Sequence, residues 1–490
     1  MEHQSDLPRP GPVVGPGSIF LIFVTVLVFL LPIFIYFPPT LPSVTEALLQ
    51  THTKIGLDGS KSHLPRHSRR DNKACKDGHG KIQSLWVFPV KSCKGIEVLE
   101  SRVVPSGLEY DRIYTFAQLK SPFPVGLDTS DETKKKHSWE FISQRQFPRL
   151  ATVHVDLYVP DIRKARGGGQ QLLPLDGTNT KSSESAAAAL GDSFIVIRFP
   201  WQELGLRGTL AWLGAKLSRG LHAVPEKEII LPVSFPSDDE IEGRRYTWEP
   251  VKIWKDTVTA LNMEADLPPE LRLYLGVSNK LGVFRVDPAR LREVYRCAPK
   301  KEEAGYQPVT GWQDAYPVHL LNLSSVQDLD SKIAKDDNLK SLDPLRFRAN
   351  IIVNGVEAYE EETWKAIRLL PSPSNKRQDK TNFHVSCRTV RCKMPNVDQD
   401  TGFRHPVEPD RSLRKYRDVD PGIKGVGCLG MQLTPLFRDP STTTKAEAVT
   451  SPPNNDMVME SWIEVGMDIE VLGKGSHRYA RMFESDRPDI

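Results

Sequence analysis

The run Ser18–Phe37, SIFLIFVTVLVFLLPIFIYF, carries no charged residue and limits what this chain can be more than any other feature. Backbone amides in hydrocarbon must be paired inside the segment, so a membrane-embedded run has to be helical, Pro32 notwithstanding. About twenty apolar residues at ~1.5 Å each match a bilayer core of ~30 Å. A cleaved signal peptide competes with this reading. It is disfavoured because the run exceeds a typical signal core and Phe37-Pro38-Pro39 offers no small-residue cleavage site. The expectation is a retained single-pass anchor at 18–37 behind a short tail, 1–17. Glu2, Asp6 and a single Arg9 precede the run, whereas Lys54, Lys61, Arg66, Arg69 and Arg70 follow it, thinned only by Glu46 and Asp58. The positive side faces the cytosol, which puts the bulk of the chain there.

Cysteine usage agrees with that compartment. Six cysteines in 490 residues do not make a disulfide framework, and a thiol pair in a reducing compartment is catalytic or metal-binding more often than structural. Lys+Arg of 65 against Asp+Glu of 62 leaves a net charge of +3, which excludes a bulk electrostatic case for nucleic acid. The length predicts two or three domains.

Residues 38–80 read as a flexible linker of Pro, Ser, Thr, His and basic residues. From Lys81 the pattern turns to short β-branched and aromatic runs: KIQSLWVFPVKSCKGIEVLESRVV, YDRIYTFAQL, RLATVHVDLYV, DSFIVIRF and EPVKIWKDTVTALNM. Between them, residues 164–191 are of low complexity and read as a loop insertion, as do residues 441–456. Helices are expected at PELRLYLGVSN (269–279), at ARLREVYRC (289–297) and at SSVQDLDSKIA (324–334), the last capped by Ser324 or Ser325. RANIIVNGV reads as a buried strand, EEETWKAIRL as a short helix or exposed strand, and SWIEVGMDIEVLG as a terminal hairpin turning at Gly466. The fold class is mainly β with some α and a barrel-like core.

Three segments carry candidate chemistry. In SCRTVRCKMPNVDQDTG, Cys387 and Cys392 lie five apart. One pair without a second disfavours structural zinc, and two buried structural thiols remain an open reading. Arg391 adjoins Cys392, and a cation beside a thiol favours the thiolate, a soft ligand suited to thiophilic metals. In FPVKSCKG, Lys91, Ser92 and Lys94 follow a strand in a turn able to hold a phosphate, although it is not a Walker loop. In RFRAN, Arg348 precedes an apolar strand, where it can hold an anion bidentately or pair with a structural carboxylate. The DQDTG turn, Asp398–Gly402, lacks the remaining ligands of a calcium loop and reads as a tight turn.

Taken in order, FPVKSCKGI, YDR (Tyr110–Arg112), FISQRQFPRLATV, FRANIIVNG and VRCKMPNVDQDTG resemble the MOSC (molybdenum cofactor sulfurase C-terminal) family, and with an N-terminal anchor they are most similar to its amidoxime-reducing members. The resemblance implies an N-terminal β-barrel domain over 81–265 and a MOSC domain over 310–475. It implies a molybdenum cofactor, a pterin dithiolene with a phosphate, with Cys392 as metal ligand and catalytic residue. It also implies that Lys91, Ser92, Arg112, Arg348, Asn350 and Arg391 bind the cofactor. The implied activity is reduction of small N-hydroxylated substrates with electrons from cytochrome b5 and its NADH-dependent reductase, at the mitochondrial outer membrane rather than the endoplasmic reticulum. The alternative is a cofactor carrier or sulfur-handling module. Sulfurases of this family join the domain to a pyridoxal-phosphate desulfurase, and no segment here fits one. A membrane-tethered binding protein with a degenerate pocket is a third reading. The chain departs from the family in having CRTVRC for Cys-Ser-Arg-Cys, Arg348-Ala349-Asn350 for Arg-Pro-Asn, and Ala315-Tyr316 where a polar pair is usual.

Overall fold

The computed structural model describes residues 15–36, 44–64, 80–122, 130, 132, 136–165, 192–221, 223–371, 379–438 and 459–479. Both expected insertions fall largely or wholly outside these residues. The chain divides into two compact units. One joins residues 1–47 to 200–227, and the other joins 48–199 to 228–490.

In the first unit, Pro16–Tyr36 is one α-helix, and Ile19, Phe20, Leu21 and Phe29 are exposed along it. Among the described residues, however, no helix is long and apolar enough to cross a membrane. The single-pass span expected at 18–37 is therefore not supported, although its helix is.

In the second unit, β-branched and aromatic runs close into a barrel ordered Thr247–Ile253, Asp256–Asn262, Lys280–Val286, Tyr114–Lys120 and Ser138–Phe141. Parallel pairing of Val251 with Trp139 and of Lys252 with Glu140 closes it. Its interior is filled by Ala117, Trp139, Phe141, Val251, Val258 and Phe284, inward-facing residues of its strands, together with Trp312 from outside them.

A larger sheet runs Ile351–Asn354, Val318–Asn322, Cys428–Leu436, Thr381–Val390, Trp364–Leu370, Asp468–Lys474, Gly80–Val87 and Ile96–Val98. It returns on itself because Gly80–Val87 also pairs with Ile351–Asn354. The chain thus enters the larger sheet before it builds the smaller barrel. The helix Leu323–Lys332 covers one face, where Leu323, Val326 and Leu329 join Trp86, Phe347, Ile352 and Leu429 in a common core.

Several local expectations are corrected. The cap of Leu323–Lys332 is Asn322, whose side chain accepts the Ser324 N–H. Ala289–Cys297 holds no helix; Arg292–Glu293 pairs with Val309–Thr310 instead. A short 3-10 turn, Glu360–Thr363, precedes the strand Trp364–Leu370, so EEETWKAIRL contains both a helical turn and a strand. Gly466 turns the chain at φ +91°. The two segments it joins are not a hairpin, because Ser461–Glu464 pairs with Glu100–Val104 and Asp468–Lys474 joins the larger sheet. Within the expected linker, His52–Ile55 is a strand paired with His154–Pro160.

Candidate functional site

The strand Thr381–Val390 delivers Arg391 and Cys392. Its register against Cys428–Leu436 shifts twice, between Val385 and Cys387 and between Arg388 and Val390. Irregularities of this kind bend a strand and re-aim the side chains that follow. Cys387 and Cys392 are both free thiols in different surroundings. Cys387 is fully buried against Val294 and Tyr316, with Cys297 beside it. Cys392 is half-buried on a cavity of about 310 Å³ that it shares with Arg145, Lys393, Arg404 and Arg414. No group of three or more His, Cys, Asp or Glu side chains among the described residues forms a metal cage.

The Arg391 guanidinium turns inward. It donates to Leu429 O (2.9 Å), to Phe347 O (3.2 Å) and, through Nη2, to His319 Nε2 (2.6 Å). Burial, then the charges of Arg391 and Arg112, hold His319 well below the usual imidazole pKa, so His319 is neutral and its Nε2 accepts. Burial lowers Arg391 itself to about 10.

The remaining predicted residues meet around Phe88. Arg112 donates to Asp111 Oδ2 (2.5 Å), Asn350 Oδ1 (3.1 Å) and Arg348 O (3.0 Å). Asn350 in turn donates to Trp86 O (3.1 Å) and Asp111 Oδ1 (3.0 Å). Arg112 and Arg348 lie over the Phe88 ring at 4.7 and 4.3 Å. Lys91 is buried, donating to Trp312 O (2.7 Å) and Asp314 Oδ1 (2.6 Å). Burial lowers its pKa to about 8, against the pull of Asp314.

Two observations mark this cluster as more than packing. First, Ser92, Arg112 and Arg348 all take left-handed backbone conformations, φ 68°, 51° and 52°. Such strain in non-glycine residues persists where the surroundings impose it and concentrates at ligand sites. Second, Arg348 is 4% exposed; among the described residues its Nη1 has only Gln399 Oε1 at 3.4 Å, and its Nη2 has no hydrogen-bond partner. Burial and then the Arg112 charge lower its pKa to about 9. A buried guanidinium with an orphaned donor beside another cation is incomplete without an anionic or acceptor-rich group. Of the two arginines in RFRAN, it is Arg346 that pairs with a structural carboxylate, Asp398, at 2.8 Å.

Sequence reasoning missed five contributors. Asp111 ties Arg112 to Asn350, His319 orients Arg391, and Asp314 holds Lys91. Gln144 bonds both Ser92 O (2.8 Å) and Gln399. Asp111, Gln144 and Gln399 lie inside quoted motifs, YDR, FISQRQ and DQDTG. The signal available was a polar residue embedded in each of those runs. The DQDTG turn is shaped by Asp398 Oδ1, which accepts from Asp400 N, Thr401 N and Thr401 Oγ1.

Comparison with known proteins matches the MOSC N-terminal beta barrel domain at residues 79–196 and the MOSC domain at residues 308–438. Mitochondrial amidoxime reducing component 2 of Bos taurus is 32% identical over 366 residues, 73% of this chain and 77% of that protein. The protein of the same name from Homo sapiens is 30% identical over 380 residues, 76% of this chain and 80% of its own. Human molybdenum cofactor sulfurase is 23% identical over 330 residues, 66% of this chain and 27% of the sulfurase. With its two barrels, its strained polar cluster and these relatives, the chain belongs to the MOSC domain family.

Proposed function

We propose that this chain is a molybdenum-cofactor oxidoreductase that reduces small N-hydroxylated compounds. The observation that carries the reading is the orphaned, buried Nη2 of Arg348, set among Lys91, Ser92, Arg112 and Asn350, with Cys392 following Arg391, which donates to the carbonyl of Phe347. These residues fit a pterin cofactor with a phosphate. Arg348 supplies a cationic N–H that lacks a partner, Lys91 a second cation, and Ser92 a hydroxyl at a strained turn. The Cys392 sulfur is the soft ligand. Bound there, such a cofactor supplies a redox centre that takes oxygen from an N–OH group, with two electrons and two protons giving N–H and water.

The protein's own part is orientation and electrostatics. Arg391, fixed by His319 and two carbonyls, sets the direction from which Cys392 presents its sulfur. The proposed electron source is cytochrome b5 with its NADH-dependent reductase, at the mitochondrial outer membrane. This part is supported by relatives named mitochondrial amidoxime reducing components and by the exposed apolar side chains of Pro16–Tyr36, which suit contact with lipid.

The test compares molybdenum content and N-reduction in wild type and Cys392→Ser. The reading predicts metal and turnover in the first and loss of both in the second. Equal molybdenum and equal turnover in the two would overturn it. Metal without turnover in wild type, in the presence of a competent electron donor, would indicate the carrier function instead.

A further inference from the structure

Beyond the cofactor cluster, the cavity at Cys392 has a charge that the reading above leaves unused. Its lining besides Cys392 is four cations, Arg145, Lys393, Arg404 and Arg414. Arg414 is partly neutralised, its Nε lying 3.1 Å from both oxygens of Asp410. The other three have no carboxylate partner among the described residues. Arg145 lies with its guanidinium 4.1 Å from the Trp254 ring centroid. Arg404 donates to the backbone carbonyls of Gln144 and Arg145, which hold its position without cancelling its charge. Lys393 is exposed. Like-charged side chains gathered in one concavity repel each other, and a bound anion relieves the repulsion.

The cavity's rim is tied to the cofactor cluster. Trp254, which carries Arg145, donates from Nε1 to Asp314 Oδ1 (3.2 Å), and the same oxygen accepts from Lys91. The cations also differ in setting from those of that cluster. Lys91, Arg348 and Arg391 are buried, whereas Lys393, Arg404 and Arg414 are exposed, as a group meeting a solute from solvent must be. About 310 Å³ holds a small organic molecule and is too small for a protein surface to enter.

Resting on the function proposed above, we infer that this cavity selects N-hydroxylated substrates that also carry an anionic group, a carboxylate or phosphate. Lys393, Arg404 and Arg145 bind the anion while the N–OH end faces Cys392.

The experiment uses the cofactor-loaded full chain and two substrates differing by one charge, benzamidoxime and 4-carboxybenzamidoxime. Calorimetry on their non-reducible counterparts, benzamide and 4-carbamoylbenzoate, reads binding independently of turnover. The expected kcat/KM preference for the carboxylated substrate is about tenfold or more at low salt, shrinking as ionic strength rises. Lys393→Gln and Arg404→Gln should each reduce the preference several-fold, chiefly through KM, and weaken 4-carbamoylbenzoate binding in parallel. Equal kcat/KM for the two substrates overturns the inference, as does a preference unchanged in both variants. Loss of molybdenum from the variants would show that these cations hold the cofactor and would overturn it too. So would a raised KM for the electron-donor protein with an unchanged substrate ratio, which would make the patch a docking face for an acidic protein. If wild type reduces neither substrate, the functional reading fails, while the calorimetric comparison still decides whether the cavity takes the anion.

Discussion

Glu361 offers a quantitative test of how the helix Leu323–Lys332 is clamped to the strand that carries His319. Its carboxyl is fully buried and accepts from Asn322 Nδ2 (2.8 Å) and Ser325 Oγ (2.7 Å). Desolvation outweighs these bonds and raises its pKa from 4.5 to about 7. In the unfolded chain the group ionises near 4.5; in the folded protein it stays protonated to about 7. Below 4.5 both states are protonated and the group makes no difference. From there upward the unfolded state gains stability by ionising, so folding stability falls as pH rises and levels off above 7. With 1.36 kcal/mol per pKa unit, the loss between pH 5 and pH 8 is about 2.5 kcal/mol. Buried histidines act in the opposite sense. Burial lowers His384 to about 4 and holds His319 well below its usual value, so their contribution is lost as pH falls below 6.5. Wild type alone therefore shows a sum of opposed slopes. Glu361→Gln, similar in shape and uncharged, isolates the term: its urea-unfolding free energy minus that of wild type should climb by about 2.5 kcal/mol from pH 5 to pH 8. A difference constant across that range refutes the assignment of a buried, protonated Glu361.

Three substitutions probe the site's supports. Gly430 has φ +80°, and a Cβ there would stand 2.6 Å from both His319 Nε2 and Leu320 O. Gly430→Ala should push His319 off Arg391 and cost more than about 2 kcal/mol in denaturant unfolding, through left-handed strain and the clash together. Arg391→Lys keeps the charge but cannot reach Leu429 O, Phe347 O and His319 at once; a loss of about 3 kcal/mol is expected by urea titration, with molybdenum content falling alongside. Cys387→Ser replaces a fully buried thiol with a more polar hydroxyl and should cost about 1–3 kcal/mol while leaving molybdenum per folded molecule unchanged, in contrast to Cys392→Ser.

The parts of this fold that were legible in sequence depend on local pattern, and those that were not depend on distant pairing. Alternating Val, Ile, Phe and Thr revealed the strands of both barrels, because a half-buried pleat asks for those residues. Barrel closure left no local trace, since it rests on Trp139 meeting Val251 in parallel. Ala289–Cys297 has helical composition, yet Arg292 is drawn to Asp256 and to the carbonyls of Gly311 and Gln313. Partners for that guanidinium outweigh a propensity difference of a few tenths of a kcal/mol per residue.

The same division holds at the site. Lys91, Ser92, Arg112, Arg348 and Asn350 were named from motifs, and they share one cluster because the larger sheet takes Gly80–Val87 as a neighbour of Ile351–Asn354. His319 and Asp314 lie in no such motif, and their roles follow from what they touch. The altered cysteine spacing was the least readable feature, and the strand itself accounts for it. Thr381–Val390 shifts register twice before it ends. Each shift changes which residue points inward, so counting residues between cysteines says nothing about where their sulfurs lie. Cys387 is turned into the buried pocket with Val294 and Tyr316, and Cys392 is left at the cavity. The result is two unrelated thiols, only one of them placed to meet a ligand.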